Sequence, residues 1–166
     1  KIKQIVGTYK ETVEELRSRG VKIGSNVDIL NCNIDSEHGF LISIANNVTI
    51  TNATLLAHDA STYKFLGKSK IGRIEIGDNV FIAPNCCFTT AGHPIDVELR
   101  NKGLEYAHPI TVGNNVWIGA GVTVLPGVSI GDNVTIGAGS LVNRDIPSDS
   151  VAVGVPCRVI KQTKQE

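Results

Sequence analysis

Residues 112–136 read Val112-Gly113-Asn114-Asn115-Val116-Trp117-Ile118-Gly119-Ala120-Gly121-Val122-Thr123-Val124-Leu125-Pro126-Gly127-Val128-Ser129-Ile130-Gly131-Asp132-Asn133-Val134-Thr135-Ile136. An aliphatic residue recurs at six-residue intervals, at Val112, Ile118, Val124, Ile130, Ile136 and then Val142. Within a hexad, as in Val116-Trp117-Ile118 or Val122-Thr123-Val124, two β-branched residues flank a third at period two. That spacing turns the pair inward and the middle residue outward. Gly, Ala, Asn or Asp follows, residues that tolerate the left-handed backbone angles of a sharp corner. Three hexads make one triangular turn, and successive turns stack as short parallel strands about 4.8 Å apart.

Outward from this stretch, one phrase recurs: an aliphatic residue, Gly or Ala, a variable residue, then Asn-Val. Its copies start at Ile23, Ile44, Ile76, Val112 and Ile130, spaced by 21, 32, 36 and 18 residues. Taking one coil as 18 residues, the spacings correspond to insertions of 3, 14, 18 and none. A fixed internal period specifies the architecture before any single motif does. It predicts an all-β chain, a parallel β-solenoid of about five triangular coils over residues 21–147. Ahead of it, Thr8 to Arg19 suits a short amphipathic helix closed by Gly20, so residues 1–20 form a helical cap over the open edge of the first coil. Behind it, Pro147 and Pro156 interrupt the pattern and residues 148–166 read as a tail packing on the solenoid. Two large insertions, near 57–75 and 89–111, leave consecutive coils from the same corner, and loops of that length in a compact domain usually carry function.

At 166 residues the chain is one domain with room for a substantial core. Sixteen basic and sixteen acidic residues cancel, which gives no support to a nucleic-acid or anionic-membrane partner. No apolar run is long enough to span a bilayer, and Lys1 to Gly20 shows no signal-peptide pattern. The four cysteines, Cys32, Cys86, Cys87 and Cys157, have no paired spacing and read as reduced, small hydrophobes of a cytoplasmic protein.

His93 is the first candidate for chemistry, a histidine in the first turn of the longest insertion, where it can take a proton from a substrate hydroxyl near neutral pH. Taken alone it also fits an ordinary loop histidine, as does His108, which is likewise followed by Pro-Ile. Period two turns Trp117 out of the solenoid, with Phe81 at the same position one coil earlier, and two outward aromatics mark a contact surface. Ala120 and Ala138 hold equal positions in successive coils, and Pro84 and Asn52 are expected to continue that column of small or corner residues. By themselves Arg158 and Lys161 read as solvated charges, and Asn52 as a turn residue.

Four segments go beyond the generic repeat: Ile76-Gly77-Asp78-Asn79-Val80, Thr90-Ala91-Gly92-His93-Pro94, Gly113-Asn114-Asn115-Val116-Trp117-Ile118-Gly119 and Gly154-Val155-Pro156-Cys157-Arg158-Val159-Ile160. They resemble the galactoside and maltose O-acetyltransferases, within the hexapeptide-repeat transferases. The resemblance implies a left-handed parallel β-helix, a homotrimer with active sites between subunits, acetyl-CoA as co-substrate and no metal. It makes His93 the general base, and Asn52 and Asp59 contacts to the acceptor. It also assigns Trp117, the backbone at Ala120 and Ala138, Asn143, Arg144, and the basic Arg158 and Lys161 to the cofactor. His58-Asp59-Ala60-Ser61-Thr62 departs from the galactoside enzymes and is more similar to bacterial transferases that modify cell-surface glycans. The implied acceptor is therefore a hydroxyl of a sugar or surface-glycan precursor, reached by direct transfer, since no Ser or Cys has a nucleophile's setting. An N-acetyltransferase of an amino or nucleotide sugar, or a xenobiotic acetyltransferase, would use the same fold. A zinc hydratase on this fold gathers three histidines, often at His-x4-His spacing, which His38, His58, His93 and His108 lack. A non-enzymatic scaffold would have no reason to place His93 in a long loop beside an outward Trp117.

Overall fold

The computed structural model describes residues 12–35 and 37–163. The short strands of the chain lie on three faces of a triangular solenoid. The first face stacks Lys22–Ile23, Ile42–Ile44, Ile74–Ile76, Ile110–Val112 and Ser129–Ile130, all parallel. The second stacks Val27–Leu30, Val48–Thr51, Phe81–Ile82, Trp117–Ile118, Thr135–Ile136 and Ser150–Val153. The third stacks Asn33–Ile34, Thr54–Leu56, Cys87–Thr89, Thr123–Val124 and Leu141–Val142. Inside, the columns Ile44/Ile76/Val112/Ile130, Val48/Val80/Val116/Val134 and Leu55/Phe88/Val124/Val142 are all 4 % exposed or less. Each such side chain contributes about 1.5–3 kcal/mol by leaving water, so the stack of aliphatics is what holds the turns together.

The Asn-Val phrase has a structural cause on the outside of the same corner. Asn26, Asn47, Asn79, Asn115 and Asn133 all take left-handed backbone angles, with φ between 53° and 58°. Their side-chain amides form a ladder along the solenoid axis, each donating to the oxygen of its equivalent in the next coil at 2.8–3.2 Å and ending on Asp149. The residue before each Asn, variable in sequence, forms a second ladder. The backbone N–H groups of Ser25, Asn46, Asp78 and Asn114 donate to side-chain oxygens of Asn46, Asp78, Asn114 and Asp132 in turn.

The ends are closed differently. Helix α1, Val13–Ser18, packs on the first coil through buried Leu16, and Thr12 and Glu15 form a reciprocal capping box at its start. The part of the expected cap before Thr12 lies outside the described residues. At the other end Ser150–Val153 adds a further rung to the second face, and Arg158–Gln162 folds back antiparallel on it. The tail thus packs on the end of the solenoid. Helix α2, Tyr63–Leu66, and helix α3, Val97–Asn101, lie in the two insertions. No helix of the described residues is long and apolar enough to cross a membrane.

Both insertions leave from the third face, after Thr54–Leu56 and after Cys87–Thr89, which sets them side by side at one corner.

Candidate active site

The longer insertion begins as a hairpin, with Ala91–Gly92 antiparallel to Tyr106–Ala107. Gly92 lets the Tyr106 ring lie across the strand, since a Cβ there would sit 2.7 Å from the ring and push it aside. His93 emerges directly from this strand, with 29 % of its side chain exposed. Its Nδ1 lies 3.3 Å from the Leu104 carbonyl oxygen across the hairpin. A carbonyl only accepts, so a proton on Nδ1 satisfies that contact and leaves Nε2 with its lone pair, whereas a proton on Nε2 serves the Asp59 carboxylate instead. Nε2 faces Ser61 Oγ at 3.0 Å and Asp59 Oδ2 at 3.2 Å, both supplied by the other insertion. Beside this cluster is an open cavity of about 470 Å³ lined by His93, Thr62, Arg100, Asn101, Lys102 and Gly103.

Partial burial pushes the Asp59 carboxyl up, but the Ser61 backbone N–H, the Ser61 hydroxyl and His93 outweigh it. The net pKa lies below the usual carboxylate value, so Asp59 is an anion at neutral pH. With the proton on Nδ1, Nε2 has none to give this carboxylate. It gains a charge-assisted hydrogen bond when His93 becomes an imidazolium. His108 is placed elsewhere: its backbone N–H donates to Thr90 and its ring stacks on Tyr106.

Of the expected cofactor residues, Ala120 and Ala138 share the corner after the second face, and Trp117 lies on that face. Asn143 and Arg144 follow the third-face strand Leu141–Val142, and Arg158 and Lys161 lie on the returning tail strand. Trp117 and Phe81 are paired neighbours on the second face, each 56 % exposed. The register Ile118↔Ile136 carries through to exposed Ala120 and Ala138, and a Cβ on intervening Gly119 would sit 2.7 Å from Ala138 N, so the coils touch there. Past Ala138 the column reaches the turn before Arg158, whose guanidinium donates to the Cys157 carbonyl at 2.6 Å and to Asn143 Oδ1 at 3.4 Å. Arg144 and Lys161 are exposed nearby in sequence.

Asn52 sits at a shortened corner. The second face pairs Thr49 with Phe81, an offset that would set Asn52 level with Pro84, but the third face pairs Thr54 with Cys87. The earlier corner is one residue shorter, so Asn52 is the left-handed corner residue, equivalent to Asn85, Gly121 and Gly139. Its amide donates to Asn85 Oδ1 at 2.9 Å. In the shortened corner Asn52 fills two places at once, because its carbonyl accepts from the Asn85 N–H as those of Pro84 and Ala120 accept from Gly121 and Gly139.

Ser61, the Leu104 carbonyl, Arg100 and Lys102 were not singled out from sequence. Ser61 lay inside the His58 to Thr62 segment whose departure had been noted, whereas a backbone carbonyl leaves no mark in a sequence. Nor does sequence spacing reveal that Asp35, His38 and His58 converge, with one donor atom from each within 4.8 Å of the others.

Residues 109–144 match the family described as bacterial transferase hexapeptide (six repeats). Galactoside O-acetyltransferase of Escherichia coli K12 is 60% identical over 89 residues, 54% of this chain and 44% of that protein. The chain spans about half the length of the curated relatives it matches. The crystal structure of a maltose O-acetyltransferase from Clostridium difficile 630 superposes with a TM-score of 0.81 at 41% identity, covering 98% of this chain and 80% of that one. A galactoside acetyltransferase in complex with coenzyme A superposes with a TM-score of 0.59 at 36% identity, over 91% of this chain and 69% of that one. The repeat, the insertions and these likenesses agree: the chain belongs to the hexapeptide-repeat acetyltransferases and folds as their left-handed parallel β-helix.

Proposed function

We propose that the protein is an acetyl-CoA-dependent O-acetyltransferase acting on a hydroxyl of a sugar or surface-glycan precursor. The observation that carries this reading is His93, held by its Nδ1 on the Leu104 carbonyl with Nε2 turned toward Asp59 and Ser61 beside an open cavity. Family relatives named as galactoside and maltose O-acetyltransferases supply the acceptor class.

In this reading Nε2 of His93 takes the acceptor's hydroxyl proton as the oxygen attacks the thioester carbonyl carbon. Asp59 then stabilises the imidazolium, an interaction that strengthens on proton transfer and therefore lowers the barrier. The tetrahedral intermediate expels the CoA thiolate, which recovers the proton from His93. The N–H groups flanking Ala120, those of Gly119 and Gly121, are each held by a neighbouring coil's carbonyl at 2.9 Å. That fixes the peptide whose N–H we assign to the oxyanion. The pantetheine arm lies over Ala138 and Ala120 beside Trp117, and Arg158 and Lys161, with Asn143 and Arg144, attract the nucleotide phosphates. Asn52 contacts the acceptor from its corner. Three subunits pair their outward Phe81 and Trp117 surfaces, which sedimentation at micromolar concentration will report as a trimer.

The decisive experiment follows thiol release from acetyl-CoA across a panel of sugars, amino sugars and nucleotide sugars. Thiol release with a hydroxyl-only sugar supports the proposal. Turnover confined to amino sugars replaces O-transfer by N-transfer, and no CoA binding overturns the reading.

A further inference from the structure

We propose that Asp35, His38 and His58 form a binding site for a divalent first-row transition ion of the zinc type, separate from the His93 chemistry. Asp35 follows the third-face strand of the first coil, His38 precedes the turn Gly39–Leu41, and His58 follows the strand Thr54–Leu56 of the second coil. The Asp35 side chain is 2 % exposed, and its two oxygens are oriented by backbone N–H groups of His38 at 3.3 Å and Ala57 at 3.1 Å. His58 Nδ1 is in direct contact with Asp35 Oδ2. His38 Nδ1 lies 3.5 Å from Asp35 Oδ1, is buried, and makes no hydrogen bond to the described residues.

One histidine against one buried carboxylate is an ordinary pair. Here a second imidazole, its ring centre 4.5 Å from the first, turns a buried nitrogen to the same carboxylate without bonding it. Leaving such a group unsatisfied costs about 1–3 kcal/mol, which a coordinated ion removes. Two imidazole nitrogens and one carboxylate oxygen are a donor set for zinc and its first-row neighbours. Bonds of about 2.0–2.1 Å in a tetrahedron place donors about 3.4 Å apart; His38 Nδ1 lies 3.5 Å from Asp35 Oδ1, and His58 Nδ1, now in direct contact with Asp35 Oδ2, has to give up that contact to ligate. The N–H bonds onto Asp35 are the outer support that metal-ligating carboxylates use. The adjoining cavity of about 220 Å³, lined by Glu37, His38, His58, Ala60, Tyr63 and Ser69, leaves room for a fourth donor. An ion there ties the first coil to the root of the insertion that carries Asp59 and Ser61.

Tag-free protein stripped with chelator is titrated with zinc chloride by calorimetry, and with cobalt(II) by visible absorption. We expect one zinc per chain at micromolar affinity or tighter, a higher thermal midpoint with zinc, and a tetrahedral cobalt band. His38→Gln leaves the Asp35–His58 pair intact and should weaken zinc binding by at least about 100-fold, beyond the loss typical of an outer-shell partner. Absence of zinc heat and of the cobalt band in the wild-type protein overturns the proposal. So does unchanged zinc affinity in His38→Gln, which would place the metal on other donors such as the cysteines. Acetyl transfer by stripped protein is scored separately and tests the His93 reading alone.

Discussion

Residues 110–142 and the two insertions obey different rules, although they share one corner. In the solenoid body every residue's neighbour is its own equivalent one coil away: Val on Val, Ile on Ile, Asn on Asn. Such a body is stiff and repetitive, and repetition cannot bring unlike chemical groups together. The insertions do so, placing His93 against Asp59, Ser61 and the Leu104 carbonyl, contacts 11 to 34 residues apart with no periodic relation. Regular turns fix where the loops start, and irregular loops carry the reaction.

The largest effects should divide along that line. His93→Ala is expected to lower kcat by about 10² to 10⁴ while the thermal midpoint and acetyl-CoA affinity hold, because the half-exposed ring supports no packing column. Ile118→Ala, at a fully buried position of the body, should do the reverse, costing about 2–5 kcal/mol of stability. Equal kcat losses from His93→Ala and His108→Ala would mean that the loop's fold, not its proton chemistry, had been removed. Steady-state kinetics and thermal melts on the same samples decide.

Asp59→Asn should lower kcat by about 10- to 100-fold, the worth of one hydrogen bond to a charged group, about 1.5–3 kcal/mol, with little change in either KM. Its stability effect has a defined pH sign. Asp59's folded pKa is depressed, so its contribution is complete above the unfolded carboxylate pKa and is lost as pH falls through the lower folded value. The wild type's advantage over Asp59→Asn in melting should thus narrow on acidification below the ordinary carboxylate range and not between pH 6 and 8.

Ala138→Leu places four-carbon bulk on the exposed corner instead of in the core, so the KM for acetyl-CoA should rise by about tenfold, roughly 1.4 kcal/mol, with the melt unchanged. Arg158→Ala should weaken the cofactor more at low salt than at high salt. Normal binding by Ala138→Leu would withdraw the groove and its cofactor residues together.

What could be read in the sequence follows the same division. Period six and period two reach inward from Val112 to Val142, so the core columns, the outward Trp117 and the common corner of both insertions were legible from spacing alone. Handedness was not, since periodicity is identical in both hands; it came from the resemblance. Asn52 shows the limit inside the body, where a corner shortened by one residue leaves the strand pattern intact and makes one residue both the column position and the left-handed corner. In the insertions only residue identity could be used: His93 was found because Gly92-His93-Pro94 matched a motif, while Ser61 and the Asp35–His38–His58 cluster depend on loop paths that no spacing encodes. The residue before each Asn changes identity from coil to coil, yet Asn46, Asp78, Asn114 and Asp132 all accept a hydrogen bond from the coil before.

The smallest expected effect tests whether that repetition adds stability or only shape. Asn115 does two jobs: it holds a left-handed corner at φ 56°, and it accepts from Asn79 at 3.1 Å and donates to Asn133 at 3.0 Å. Asn115→Gly keeps the corner's freedom and deletes the amide. The two ladder bonds are exposed and compete with water, so their joint loss should cost about 1 kcal/mol, a fall of roughly 2–4 °C in melting temperature for a chain of this size. Asn115→Ala deletes the same bonds but keeps the Cβ that Gly lacks, which in the left-handed region costs about 1–2 kcal/mol relative to Gly, so it should melt lower still. Neither change should alter kcat, because the ladder lies in the body and not in the insertions. If Asn115→Gly melts with the wild type, the ladder bonds contribute nothing and asparagine is there for its backbone alone. If Gly and Ala fall equally, the strain argument fails and the amide ladder holds the corner.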